Sequence, residues 1–328
     1  MKVKRFLGFL LVGIMTVSLF GGYVQSASKW APEREIEFVV PSSPGGGSDL
    51  NARTIADLAQ KNKFSPYALM VVNKPGGSGA VSFAYMNTKK GDSHTLMVLH
   101  SGQAIGSYVN NWNVKVSDLT YIGTVAFDEL TLGVKKDGKY KDIKSLLAAV
   151  KRQPRSIKIG GSQRGNSDHL SFELINKYTG SEFTYVMFNS SGEVMSALLG
   201  GHVDVGIFNP MECIGQVAAG EVIPIVTFAK NRLTGLFKDA PTFAEIGYEE
   251  IQVTEVRAIA GPPNMPAAAV EFYEDMLRKI TETDEWKQNY IEKNLLVNNY
   301  LNAADTKEYH EKMIDVNIKT FKEVGYLK

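Results

Sequence analysis

Short apolar runs alternate with amphipathic stretches along most of this chain. Runs at 36–40, 68–72, 95–99, 121–125, 130–134, 157–160, 183–187, 203–208, 223–228 and 256–260 read as buried strands. Between them, helix-period patterns fall at 51–60, 80–86, 143–151, 169–178, 192–199 and 272–280. Such alternation predicts an α/β protein with largely parallel sheets. No residue-level repeat is visible. Two strand–glycine turn–helix units do stand out, at 36–60 and 157–178, and predict two similar α/β lobes. Ligands of open α/β sheets lie beyond the carboxyl ends of the strands, so a cleft between the lobes is the expected site.

The turns between these elements carry the candidate chemistry. Pro41-Ser-Ser-Pro-Gly-Gly-Gly-Ser-Asp49 joins the first strand to its helix. A glycine-rich turn leaves backbone N–H groups free at a helix N-terminus, where the dipole also favours an anion. Asn73-Lys-Pro-Gly-Gly-Ser-Gly79 is a second such turn, and Gly160-Gly-Ser-Gln-Arg-Gly-Asn-Ser-Asp168 a third. The chain is thus expected to cradle an anion from two sides.

Composition narrows the class. The 328 residues are 44% hydrophobic and 22% charged, as in a soluble protein of one large or two medium domains. Residues 1–28 read as a signal peptide: Lys2, Lys4 and Arg5 precede an apolar run at 6–20, with small residues before a cut near 26–29. That run is short for a membrane span, and no cysteine near the cut suggests a lipid anchor. An exported, periplasmic protein is expected. Without that segment 33 basic side chains face 35 acidic ones, a formal charge of −2. No basic footprint for nucleic acid or anionic membrane is present. Cys213 is the only cysteine, so no intrachain disulfide can form, and its apolar surroundings read as core.

Together the motifs resemble the substrate-binding proteins of tripartite tricarboxylate transporters, the Bug (TctC-like) family. Pro41, Pro44, Gly45, Gly46, Asp49, Ala52 and Arg53 match that family's P-x-x-P-G-G-x-x-D-x-x-A-R pattern, and 73–79 matches N-K-P-G-G-x-G. Gly160, Ser162, Gly165, Ser167 and His169 are similar to its second-lobe loop, slightly altered. Leu199-Gly-Gly-His-Val-Asp204, Pro241-Thr-Phe-Ala-Glu-Ile-Gly247 and Gly261-Pro-Pro-Asn-Met-Pro266 follow in order. The resemblance runs from about Trp30 to the C-terminus. It implies a type II-like periplasmic-binding-protein fold, each lobe a mostly parallel sheet flanked by helices, with two crossover strands. On that analogy 29–127 plus 255–328 form lobe one and 128–254 lobe two. It also implies capture of a small organic carboxylate and delivery to integral-membrane permease subunits, by a monomer. Two departures leave ligand identity open: Phe188-Asn-Ser-Ser-Gly192 replaces an aromatic-x-Gly segment, and Val256-Arg257 replaces a bulky aromatic.

One helix terminus contributes about 0.3 to 2 kcal/mol to holding an anion, against about 8 kcal/mol for micromolar affinity. Contacts from both lobes are therefore required. Ser42, Ser43 and the Gly45, Gly46 and Gly47 backbone are the first-lobe candidates. Ser162, Gln163, Arg164, Gly165, Asn166 and Ser167 are the second-lobe candidates, with Arg164 able to grip a carboxylate bidentately. Arg257, near a crossover, is a weaker case of the same idea. His100, Ser101, Asn189, Ser190 and Asn209 follow strands and share the carboxyl-end logic. Asp49 would repel an anion and reads as a cap or brace for its loop; Asp204 lies at the wrong end of its strand. His169 and Glu173 stand at a metal-compatible spacing, but zinc needs a third ligand and none stands out, so no metal or cofactor is expected.

No Walker, G-x-G-x-x-G or G-x-S-x-G signature is present, and no enzymatic activity is expected. Two alternatives stay open: a nucleotide- or phosphate-binding enzyme using the glycine turn, and a periplasmic ligand sensor for a membrane kinase.

Overall fold

The computed structural model describes residues 30–328; the signal peptide expected at 1–28 lies outside them. Strand β1 (Ile36–Val40) is buried apolar sequence interrupted only by Glu37. It feeds α1 (Gly47–Lys61), and β2 (Leu69–Asn73), α2 (Ala80–Thr88), β3 (Thr95–His100), α3 (Ser101–Val109) and β4 (Thr120–Glu129) follow. The next group is β5 (Thr131–Lys135), α4 (Ile143–Arg152), β6 (Lys158–Ser162), α5 (Ser167–Thr179) and β7 (Thr184–Phe188). It continues through α6 (Ser191–Leu199), β8 (Val205–Phe208), α7 (Pro210–Ala218) and β9 (Val222–Thr227). Then β10 (Thr254–Gly261), α8 (Ala267–Glu282) and α9 (Ala303–Glu323) complete the chain.

The strands form two five-stranded sheets ordered β2-β1-β3-β10-β4 and β7-β6-β8-β5-β9. The orders correspond strand for strand, a duplication in topology that the residues do not show. In the first sheet β1 is parallel to β2 and β3, while β10 runs antiparallel between β3 and β4. In the second, β6 is parallel to β7 and β8, while β5 runs antiparallel between β8 and β9. Each sheet is mostly parallel, and its one opposed strand is the first that the chain lays down on arriving from the other sheet.

That arrangement sets the two crossings side by side. Only Leu130, fully buried, separates β4 from β5. β10 pairs with β4 from Thr254↔Glu129 to Gly261↔Thr120, so the return crossing begins beside the outgoing one. Apolar residues cover both faces of each sheet: Phe38, Ile55, Tyr273 and Trp286 pack on one face of the first, Val39, Phe83 and Leu99 on the other. Leu132, Ile159, Ile175 and Phe243 serve the second. Helix α9 spans both units, with Ile314 against the first core and Phe321 inside the second. No helix among the described residues is long and apolar enough to cross a membrane.

Candidate functional site

Between the sheets, at the carboxyl ends of β1, β3, β6 and β8, lies a cavity of about 640 Å³. One wall is the turn before α1. Gly45 takes φ +87°, a left-handed conformation suited to glycine, and Gly46 occupies the N-cap position with no side chain capping it. The α1 terminus is therefore left to the cavity. Asp49 turns back into the loop: its Oδ2 accepts from the Gly45 N–H at 2.9 Å and pairs with Arg53 at 2.9 Å. Asn73 Nδ2 donates to Asp49 Oδ1 and to the Ser42 carbonyl, both at 3.0 Å. Burial opposes the charge on Asp49, but Arg53, Gly45 and Asn73 together hold its carboxyl below the usual range. The expected brace is what the geometry shows. Ser42 Oγ is buried without a partner, and Gly76–Gly79 of the neighbouring turn extend this wall.

The opposite wall is built from β6 and α5. Asn166 Oδ1 caps α5 by accepting from the His169 N–H at 3.1 Å, and its Nδ2 donates to Ser162 Oγ at 3.1 Å. Asp168 Oδ2 accepts from the Ser162 N–H at 2.7 Å and its hydroxyl at 2.8 Å. Gln163 adopts φ 54° and donates its N–H to the Phe188 carbonyl at 2.8 Å. The 187–192 segment completes this wall, with Ser190 Oγ accepting from the Glu193 N–H at 3.3 Å.

The floor is ionic. His100 Nε2 pairs with Glu255 Oε2 at 2.9 Å, and Asn209 Nδ2 donates to the same oxygen at 3.0 Å. Burial would raise Glu255, but His100 and the Asn209 hydrogen bond pull it down to about 2. His100 moves the other way: burial lowers it, yet Glu255 leaves it above its ordinary value. Arg257, 2% exposed, pairs with Asp128, which is fully buried, and Asp128 helps keep the guanidinium charged. That guanidinium lies on Gly47, where any Cβ would fall 3.0 Å from both terminal nitrogens. Its Nη2 also touches Met211 Sδ at 3.0 Å, so residues from the two units meet there.

The cavity brings together Ser42, Ser43, Gly45, Gly46, Gly47, His100, Ser162, Gln163, Asn166, Asn189, Ser190 and Asn209. Four expected contacts lie elsewhere. Ser101 Oγ accepts from the Val256 N–H at 2.7 Å and, with Ser167, lines a separate cavity of about 360 Å³. Arg164 is exposed and stacks 5.9 Å from the centre of the Tyr326 ring rather than reaching the cleft. Gly165 is demanded by packing, because its φ is +73° and a side chain there would strike Val109 of α3. His169 sits 3.4 Å from Glu173 and packs on Tyr185 and Tyr326, while Asp204 accepts from the Lys158 N–H. Among the described residues no group of three metal-ligating side chains assembles.

Asp168, Glu212, Glu255 and Gln103 were not among the expected contacts, and all four line the cavity. Glu255 was legible only as a neighbour of Arg257 on a crossover strand. Glu212 lies one turn into a helix opened by Asn209-Pro210, which could have been read as a capped terminus.

Two α/β units with paired crossings and a cavity between their strand ends are the architecture of a solute-binding receptor. The chain belongs to the tripartite tricarboxylate transporter family receptor family, whose model matches residues 52–324. Protein BugT of Bordetella pertussis is 28% identical over 235 residues, 70% of this chain and 71% of that one. A Rhodopseudomonas palustris protein, MatC, solved with bound malate, superposes with a TM-score of 0.77 at 19% identity, covering 88% of this chain and 99% of its own. A second R. palustris protein, solved with adipate, gives a TM-score of 0.81 at 23% identity, covering 90% and 98%.

Proposed function

We propose that this receptor works outside the cytoplasm, in the periplasm, as a monomer that captures a small organic acid and passes it to membrane permease subunits. The lobes would comprise 29–127 with 255–328, and 128–254. The observation that carries this reading is the convergence of Arg257 on the uncapped α1 terminus at Gly47, inside a cavity walled by both units. A cation and a helix dipole at one point favour an anion, and Arg can hold a carboxylate through two N–H groups. Relatives solved with malate and adipate support the same class.

Closure about the adjoining β4–β5 and β10 crossings would bring the second wall onto a ligand resting on the first, burying it and presenting a new surface to the permease. A thermal-shift screen against small carboxylates, amino acids and nucleotides tests this. Ligand at 100 times its dissociation constant adds about 2.7 kcal/mol, seen as a raised midpoint. A response confined to nucleotides would overturn the reading.

A further inference from the structure

Asp49 and Asp168 hold the same place in their units. Each stands in the first turn of the helix after a glycine-bearing loop, and each accepts from a backbone N–H of that loop, Gly45 for one and Ser162 for the other. Their neutralisation differs. Asp49 has Arg53 at 2.9 Å, whereas Asp168 has no basic partner among the described residues. Glu212, also on the cavity wall, has none either; its Oε2 accepts from the Asn209 N–H at 3.1 Å. Glu255 joins them on the same wall but has His100. Buried carboxylates are costly unless a cation faces them.

The same cavity also holds the complementary want. Arg257 is 2% exposed, its Nη2 engages Asp128, and its Nε has no partner. Ser42 Oγ on that wall is also buried and unpartnered. One cavity therefore offers both an anion subsite at the α1 terminus and carboxylates without a basic partner.

We infer that the ligand is zwitterionic, its carboxylate at Arg257 and the α1 terminus and its amine at Asp168 and Glu212. This rests on reading the cavity as an organic-acid site and adds a second charge to that acid. A plain diacid could rest its far carboxylate against Asp168 and Glu212 only while both keep their protons, since their ionised forms oppose a like charge. Burial, with Glu255 and Glu212 adding to it, raises the Asp168 carboxyl to about 8.

Calorimetry on the purified protein with pentanoate, glutarate, glutamate and 5-aminopentanoate separates the possibilities. At least one of the two amino acids should bind tenfold or more tightly than both glutarate and pentanoate. Glu212→Gln should reduce that preference at least fivefold without weakening pentanoate. Asp168→Asn should act likewise, but it also loosens the Ser162 loop, which is why Glu212→Gln is the primary variant. Glutarate binding as tightly as either amino acid overturns the zwitterion inference and leaves the organic-acid reading standing. Binding of none of the four overturns both.

Discussion

Asp128 and Arg257 form an ion pair with almost no solvent access where the two crossings run side by side, Asp128 late in β4 and Arg257 early in β10. Its members therefore join the outgoing and returning strands and also set the guanidinium against Gly47. Removing one partner strands a buried charge, at a cost of about 3 to 5 kcal/mol. Asp128→Ala should lower urea stability by that order and weaken carboxylate binding, because Arg257 then loses its anchor. Arg257→Met keeps volume without charge: it should abolish carboxylate binding while costing less stability when combined with Asp128→Leu than alone. Losses that simply add, the double variant costing the sum of the two single ones, would show that the two residues act independently.

Glu129 lies at the crossing itself, 8% exposed, accepting from Thr254 Oγ1 at 3.1 Å. Burial raises its carboxyl to about 8, with Asp128 and Glu255 adding to the rise against the Thr254 bond. A carboxyl raised in the folded state binds more protons there than in the unfolded chain, so stability falls as pH rises. The contribution is fully present below the unfolded value of 4.5 and is lost as pH climbs through about 8. Each unit is worth about 1.4 kcal/mol. Glu129→Gln should therefore raise the melting midpoint at pH 8.5 more than at pH 5; an equal change at both would place the residue's ionisation outside the stability balance.

Much of this architecture is written in the residues. All ten strands correspond to apolar runs, and the central ones, buried on both faces, need no polar alternation. The turn before α1 was legible for a different reason: Gly45 at φ +87° and an N-terminus without a capping side chain are what Pro-Gly-Gly-Gly specifies. Helix α9 carries charged residues on most turns, and its apolar contacts, Ile314 and Phe321, divide between two cores, which weakens any single stripe. The floor was the least visible part. Glu255 stands on the returning strand and Glu212 on α7, and only the fold, with Asn209 of the α7 cap bonded to Glu255 at 3.0 Å, brings them to one cavity. Arg164 shows the converse failure. A guanidinium in a glycine loop has the right chemistry, but the loop aims it at Tyr326 on the outside.

Gly165 couples the units by shape. With φ at +73° and the position of a Cβ 2.9 Å from that of Val109, it lets the β6–α5 loop lie against α3. Asn110 Nδ2 donates to the Arg164 carbonyl at 3.1 Å beside it. Gly165→Ala meets both obstacles, backbone strain of about 1 kcal/mol or more and a steric clash. Stability should fall by about 2 kcal/mol, and ligand affinity should fall with it because the loop is displaced. Adding Val109→Ala should recover the steric part and leave the strain. A double variant no better than Gly165→Ala would assign the whole effect to backbone conformation.

The charge on the ligand can also be read from protons. Asp168 faces Glu255, Glu212, Tyr185 and the Ser162 donors, and its carboxyl, raised to about 8, is protonated at pH 7. Glu212 is likewise raised, by burial first and then by Asp128 and Glu255 against its hydrogen bonds. An ammonium placed against them favours their ionised forms, so binding must expel a proton below about pH 8. Affinity for 5-aminopentanoate or glutamate, whichever binds, should then rise by up to tenfold per pH unit from 6 to 8 and flatten above. Calorimetry in two buffers of different ionisation heat should report close to one proton released at pH 7, and Asp168→Asn should remove most of it. A diacid held by protonated carboxyls would give the opposite sign, with uptake of protons and affinity falling as pH rises. The sign of one proton count therefore decides between an amine and a second carboxylate at the Asp168 wall.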